Sequence, residues 1–480
     1  MRKHFYYTVL VVFVLLSSSC VTYYQRFAEF NSKVESGNID KAKEVLSKDK
    51  KGAEGKNRLL YLMNLGTIEM LSGNYAKSNE YLNEADILIE DYQKKLSTQA
   101  LALITNPMAT EYGGEDFERV LIHYYKALNY VQLGQKEDAI VECKRINLKI
   151  QQLNDKYSNK NKYSEDAFGL NLMGIIYESS GEINDAFISY RNAIESYEKI
   201  YSPQFKTEIP LQLKKDVIRT AYEMGFDEEG RLFEEKFQLK NEPRNKNNGE
   251  IIFFWNNGLG PVKAENSINF SIVKGQGGYV TFANEELGLN IPFPLPEGKS
   301  TNSALGDLEF IRVAFPKYVE RKPYYSTASI EANRVDYPLE VAEDINAIAF
   351  KTLHDRLLRE MSNSLLRLAT KKAAEYTVRD QNQNMGSLVG IVNAITEKAD
   401  TRNWQTLPYA ISYTRISLPP GAQEIKLKLR SFDNKIIKEQ KFNFVIEKGR
   451  TAFQTYQNFE CQEYYLPSYM PADRFMENAR

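Results

Sequence analysis

Histidine, cysteine and tryptophan are scarce in this chain of 480 residues, which carries three, three and two of them. None of the His or Cys residues stands in a CxxC or at metal-ligand spacing, so there is neither a zinc site nor a disulfide framework to argue for. The motifs HExxH, GxSxG, GxxxxGKS/T and GxGxxG are absent, which removes the motif-based readings of a zinc protease, an α/β-hydrolase and a nucleotide-binding enzyme. An excess of one charge is missing too. The 62 Lys and Arg face 63 Asp and Glu, a formal net charge of -1, so no bulk electrostatic case for nucleic acid exists. No apolar run reaches the roughly 20 residues of a membrane-spanning helix. Hydrophobic residues at 42% and charged residues at 26% describe an ordinary globular chain, and at about 150 residues per domain the length implies roughly three structural units. No catalytic residue, cofactor or metal is expected, although a glycosidase-like carboxylate pair stays open on spacing alone.

What is present begins at the N-terminus. Arg2, Lys3 and His4 precede an apolar run of 12 residues, Phe5 to Leu16, which meets Ser17-Ser18-Ser19-Cys20. This is a secretory signal layout, and small residues directly before a Cys resemble the bacterial lipobox, with Ser17 in the place usually held by Leu. The resemblance implies a signal peptide over 1–19 and palmitate-type acylation of Cys20. Each buried CH₂ contributes about 0.8 kcal/mol, so several chains hold a protein firmly to a membrane. Cleavage removes two positive charges and takes the formal charge from -1 to -3. Val21 follows the cysteine instead of Asp, and by analogy with lipoprotein sorting this favours the periplasmic face of the outer membrane. A secreted protein with a stray Cys is the alternative. Cys143 and Cys461 are then structural thiols.

From 20 to 240 the chain reads as helix after helix. Leu170-x-x-Met173-Gly174-x-x-Tyr177, followed by Gly181, Ala186, Tyr190 and Ala193, fits the tetratricopeptide (TPR) pattern. Leu62-x-x-Leu65-Gly66 with Gly73, Tyr75, Leu82 and Ala85 is a second copy, and Ala127-x-x-Tyr130 with Gly134, Ala139 and Cys143 is a third. Gly66, Ala127 and Gly174 would let paired helices approach, and Gly73, Gly134 and Gly181 fall at the turns between them. The copies are unevenly spaced, so an insertion around Leu96 to Asp116 is a loop or a lengthened helix. Phe27 to Leu46 and Leu213 to Phe237 read as degenerate end pairs. TPR spacing places Met63, Thr67, Met70, Tyr124, Leu128, Asn171, Ile175 and Glu178 on a concave partner-binding groove. The groove either recognises a protein or packs against the C-terminal half of the same chain.

A polar linker, 241–249, separates this region from one of period two. Strands are expected at Glu250 to Trp255, Ser267 to Val273, Phe310 to Phe315, Tyr324 to Val335, Ala410 to Leu418, Glu424 to Ser431, Ile436 to Ile446 and Arg450 to Tyr456. Lys274 to Tyr279 reads as a hairpin turn, not a phosphate cradle. A helical insertion over 339–399 interrupts the strands, with a long amphipathic helix from Val341 to Tyr376 and a second stretch from Leu388 to Ala399. Arg356, Arg359, Glu360 and Arg367 read as its solvated face. His123 and His354 read as structural residues. The expected fold class is therefore multi-domain α plus β: an N-terminal TPR-like α-solenoid and a C-terminal β-rich, sandwich-like domain, 250–480, interrupted by a long helix.

Three segments carry a resemblance across both halves: Phe117-Glu118-Arg119 with His123 to Tyr130, Gly249 to Gly258 with Pro261-Val262-Lys263, and Asp400-Thr401-Arg402-x-Trp404-x-x-Leu407-Pro408. Together the chain resembles TPR-containing outer-membrane lipoproteins of Gram-negative bacteria. The resemblance implies a membrane-tethered scaffold in envelope assembly or peptidoglycan synthesis, near a small lipoprotein that activates penicillin-binding proteins. Asp400, Arg402 and Trp404 could lock a loop or, exposed, form a partner hot spot. A non-enzymatic adaptor is the principal expectation. A cell-wall glycan-binding protein or enzyme, and a structural subunit of a secretion machine, are the alternatives.

Overall fold

The computed structural model describes residues 23–98, 108, 110–156, 163–274, 279–285, 289–294, 310–381 and 399–464. The signal peptide, Cys20 and the stretch 388–398 lie outside the described residues, as do positions 275–278 of the expected hairpin turn.

Five helical hairpins follow one another among the described residues. They are α1 (Ala28–Glu35) with α2 (Ile39–Ser47), α3 (Arg58–Leu71) with α4 (Tyr75–Thr98), and α5 (Asp116–Gln132) with α6 (Lys136–Lys156). The last two are α7 (Ala167–Ser179) with α8 (Ile183–Ser196), and α9 (Leu211–Glu223) with α10 (Asp227–Phe237). Each hairpin turns on a glycine with positive φ: Gly37, Gly73, Gly134, Gly181 and Gly225, at 70° to 84°. At every turn the glycine N–H donates to the carbonyl three residues back, and the next N–H donates to the carbonyl five back. That is one helix-ending motif used five times. Inside the hairpins, a Cβ on Gly66 would lie 2.6 Å from Leu82, and one on Gly174 would lie 2.5 Å from the Tyr190 ring. Glycine is thus what lets the helices touch. The helical half is a TPR-like array, and its two end pairs are as regular at their turns as the middle three. Of the insertion around Leu96 to Asp116, α4 takes in the start, running 24 residues to Thr98, and 110–115 is non-helical, while 99–107 and 109 lie outside the described residues.

The second half holds two sheets. A seven-stranded sheet has the order β10-β9-β6-β7-β8-β1-β11, from β1 (Gly249–Asn257), β6 (Thr327–Ala332), β7 (Val335–Asp344), β8 (Ala410–Leu418), β9 (Gly421–Arg430), β10 (Ile436–Ile446) and β11 (Thr451–Gln457). Its β1–β11 pair is parallel, and its other pairs are antiparallel. Flat, β1 and β10 would sit about 24 Å apart at five strand spacings. Yet Phe253 on β1 meets Phe442 on β10 edge to face at 5.3 Å, so the sheet is rolled over on itself. Ile251, Phe253 and Trp255 point into the roll with Ile330, Leu427 and Ile446. The alternate residues Ile252 and Phe254 enter the core of the helical array. All nine residues of β1 are buried, which marks it as a strand covered on both faces.

A separate antiparallel sheet has the order β4-β3-β2-β5, from β2 (Val262–Lys274), β3 (Tyr279–Asn284), β4 (Leu289–Pro294) and β5 (Phe310–Val319). The long helix α11 (Ile345–Gln381) serves two cores. Ile345, Ala349 and Leu353 join the helical array, while Leu357, Met361 and Leu365 pack on this small sheet. Two side chains assigned to its solvated face belong elsewhere. Arg367 is buried with its guanidinium on the Ser364 hydroxyl, and Arg356 pairs with Glu115 of the helical half. The expected strand Tyr324 to Val335 is two strands, because the chain reverses at Asn333-Arg334 between β6 and β7. The polar linker before β1 is tied down, since Arg244 bridges Glu178 and Glu250.

Candidate functional site

The proposed groove residues come together, but not on an open surface. Met63, Thr67, Met70, Tyr124, Leu128, Asn171, Ile175 and Glu178 are each at most 7% exposed. Their groove is filled by the C-terminal half of the same chain. The reading of these residues as a free partner-binding face is therefore corrected: the sheet and the loop before β8 carry enough apolar surface to take the place of a partner. Phe254 of β1 meets Phe168, at 6.3 Å between ring centroids. Tyr413 of β8 donates to Asn171 at 3.4 Å.

Trp404 is the plug of this seam. Its indole lies 5.3 Å from the Tyr125 ring and donates to Thr67 Oγ1 at 3.2 Å and Thr406 Oγ1 at 2.9 Å, while Thr406 donates to Asn64. Arg402 is forked onto Asp400 at 2.7 and 2.8 Å, donates to the Thr110 carbonyl at 2.9 Å and lies over the Tyr112 ring. Arg402 and Trp404 are each 1% exposed, so the hot-spot reading of Asp400, Arg402 and Trp404 gives way to the locking one. The lock joins the helical array to the loop before β8. The three segments that carried the family resemblance meet here: the Trp404 N–H donates to Glu118 at 2.6 Å, and Lys263 pairs with Glu115.

Two charge networks clamp the seam. In the first, Arg415 of β8 reaches Glu178 at 2.6 Å, Glu250 at 2.7 Å and Asp216 at 3.1 Å, while Arg219 and Arg244 also bind Glu178. Three carboxylates and three guanidiniums balance. Burial pushes the Glu178 carboxyl up, but its three arginines outweigh that and hold it below the usual carboxylate range. In the second, at the start of α5, Glu118 accepts from Tyr112 and from the Glu115 and Trp404 N–H groups. Burial, and then the neighbouring Glu115 charge, still push Glu118 up to about 7. Between the networks, Asp166 accepts from Tyr163 at 2.7 Å and Gly169 N–H at 2.6 Å. Burial, followed by Asp166, raises the Glu343 carboxyl of β7 well above its ordinary value. Sequence reading missed Arg415, Asp216, Arg219 and Glu115, and singled out Lys263 only as part of the resemblance. The one available signal was an Arg inside the otherwise apolar-and-hydroxyl strand Ala410–Leu418.

An open cleft lies elsewhere among the described residues. A cleft of about 840 Å³ is lined by Glu35 at the end of α1, Tyr324 and Tyr325 before β6, and Glu460 to Tyr464 after β11. The last segment pairs with the chain before β6 through Tyr324 N–H to Glu460 O at 3.0 Å and Gln462 N–H to Lys322 O at 2.8 Å. Glu35 Oε1 accepts from Tyr24 at 2.8 Å and Tyr464 at 2.7 Å. Cys461 lines the cleft as a free thiol, pushed up by burial, and Cys143 is buried in the helical core. His123 is buried against Glu142 at 2.7 Å. Among the described residues, no group of His, Cys, Asp and Glu could hold a metal ion, and no helix is long and apolar enough to cross a membrane.

No protein-family model matches the chain, and no curated protein matches it. Solved structures that overlap it include MamA, at 18% identity over 43% of this chain and 90% of that one, with a TM-score of 0.27. BtubC from P. vanneervenii overlaps at 14% identity over 44% and 80%, with a TM-score of 0.28. NprR in complex with its cognate peptide NprX overlaps at 18% identity over 48% and 72%, with a TM-score of 0.19. Overlaps at these scores carry no functional argument, and the TPR-like character of the helical half rests on its own turns and packing.

Proposed function

We propose that the chain is a non-enzymatic scaffold of the bacterial envelope, tethered through lipidated Cys20 at the periplasmic face of the outer membrane, whose protein partner docks on the outside of a preassembled molecule. The observation that carries this is the filled groove: the surface a TPR array would offer to a partner is occupied by Trp404, Tyr413 and Arg415 of the same chain. An internal ligand of this kind gives rigidity, and rigid units of helical hairpins suit the positioning of other proteins. In-cell photo-crosslinking of the full chain beside its Cys20→Ala form tests the reading. Membrane retention lost on Cys20→Ala, with one defined envelope protein crosslinked from outward positions such as Ile87 and Val141, would support it. Crosslinks arising from Tyr124 instead would show that the groove opens.

A second reading has one observation in its favour. Carboxylates and tyrosines share the Glu35 to Tyr464 cleft, as a cell-wall glycan site would require. Retention of muropeptide with no protein above background would bring it forward and sink the scaffold.

A further inference from the structure

Where β7 meets the helical array it carries a bulge. Its register against β8 passes from Val341 opposite Ser412 to Glu343 opposite Ile411, so Ala342 is the extra residue. In a regular strand Ala342 and Glu343 would face opposite ways, yet both are buried here, at 0% and 1% exposure. The Tyr197 hydroxyl fastens the bulge by donating to the Ala342 carbonyl at 2.7 Å. A carboxyl is thereby placed inside the seam. What faces it is acidic or neutral: Asp166 and Tyr163 ahead of α7, Tyr124 of α5, Tyr197 and Tyr201 after α8, and Asp344 on its own strand. Asp344 is turned to the Ala347 N–H at 2.7 Å, at the start of α11. Among the described residues, neither Glu343 nor Asp166 forms an ion pair with a Lys, Arg or His.

The two carboxyls are not equivalent. Asp166 accepts from the Gly169 N–H, from Tyr163 and from Tyr201, the last at 3.2 Å. Burial raises its carboxyl, and these three donors oppose the rise. Glu343 shares only the Tyr201 hydroxyl, and its Oε2 has no partner, as the buried Tyr124 hydroxyl has none. Ionised, Glu343 would be a buried charge with an unsatisfied oxygen and no cation, which is among the costliest arrangements in a protein. Protonated, it becomes a donor. Tyr201 commits its own hydrogen to Asp166, so its oxygen is left to accept that of Glu343.

We propose that Glu343 is a proton-operated latch: protonated, it closes the seam by donating to Tyr201 and through it to Asp166, and its ionisation opens the groove beside Tyr124. The latch concerns the joint between the two halves and does not depend on where a partner docks. A proton held more tightly in the closed seam than in the open one stabilises closure fully below the ordinary carboxyl value of 4.5, and that stabilisation is lost as pH rises. Hydrogen exchange of the purified full chain, read by mass spectrometry on peptides from α7 and β7 and corrected for the intrinsic pH dependence of exchange, tests it beside Glu343→Gln. The variant copies the protonated acid in shape and cannot ionise. The ratio of native to variant opening constants grows about tenfold per pH unit, hence about a hundredfold from pH 5 to 7. Other groups that titrate in that window, Glu118 among them, cancel in the ratio. A ratio that stays constant, a native seam whose opening does not change from pH 5 to 7, or a Glu343→Gln chain already open at pH 5 would each overturn the proposal. Membrane retention through Cys20 is unaffected by any of these outcomes, so the two readings fail separately.

Discussion

Arg415 is the residue on which the seam turns, because carboxylates from α7, α9 and β1 converge on its guanidinium. Arg415→Met keeps much of the stem but leaves Glu178, Asp216 and Glu250 facing only Arg219 and Arg244. An uncompensated buried charge costs about 3 to 5 kcal/mol, and urea unfolding should register a loss of that size; a loss under about 1 kcal/mol would mean that water reaches the cluster. Glu118 makes the complementary prediction in pH. Its carboxyl sits at about 7 in the folded chain against an ordinary value of 4.5, so the folded state binds the proton more tightly. The stability this confers is complete below about pH 4.5 and is lost as pH rises through 7, on the order of 3 kcal/mol in all. Glu118→Gln should flatten the unfolding midpoint over that window relative to the native chain. A parallel pH profile for both forms would show that Glu118 stays ionised in the fold.

Among the elements, the hairpin turns are the most legible part of the sequence, since a glycine at the end of a helical period has few other uses. Two kinds of glycine can be told apart by experiment. Gly134 has positive φ and open space where a Cβ would stand, so Gly134→Ala should cost only the left-handed backbone strain, about 1 to 2 kcal/mol. Gly174 is helical but lies against the buried Tyr190 ring, so Gly174→Ala should cost about 1 to 3 kcal/mol through overpacking, with a lower melting cooperativity to distinguish it. The β6–β7 hairpin is illegible for a physical reason. Its turn is Asn333-Arg334, both at positive φ of 51° and 67°, and an Arg stands where Asn-Gly would have announced a two-residue turn. Arg334→Gly should accordingly stabilise the chain by about 1 kcal/mol, read as a raised unfolding midpoint. The short strand β4 is hidden in the sequence because Asn290, Pro292 and Pro294 punctuate it.

For the molecule as a whole, the polar stretch 241–249 reads as a boundary between domains, yet the hydrophobic core runs across it without a break. Leu62, Tyr124 and Ile175 of the helical array share one buried cluster with Ile252, Trp404 and Tyr413 of the β-rich half. Periodicity identifies which residues are apolar; it does not say what will cover them, so the groove is legible in the sequence and its occupant is not. The consequence is cooperativity. If the β-rich half is the groove's permanent lining, the full chain should unfold in one transition, with coincident circular dichroism and tryptophan fluorescence, because Trp404 and Trp255 both lie between packed layers. Residues 20–240 expressed alone should retain helical dichroism but expose the groove, bind a hydrophobic dye and melt broadly, as expected when specific packing is lost while backbone hydrogen bonds persist. A sharply melting, dye-silent helical half would instead mean that the array is self-sufficient and that the C-terminal half is a displaceable ligand. Displacement would then be measurable directly, as loss of the Trp404 fluorescence environment when a competing partner is added to the full chain.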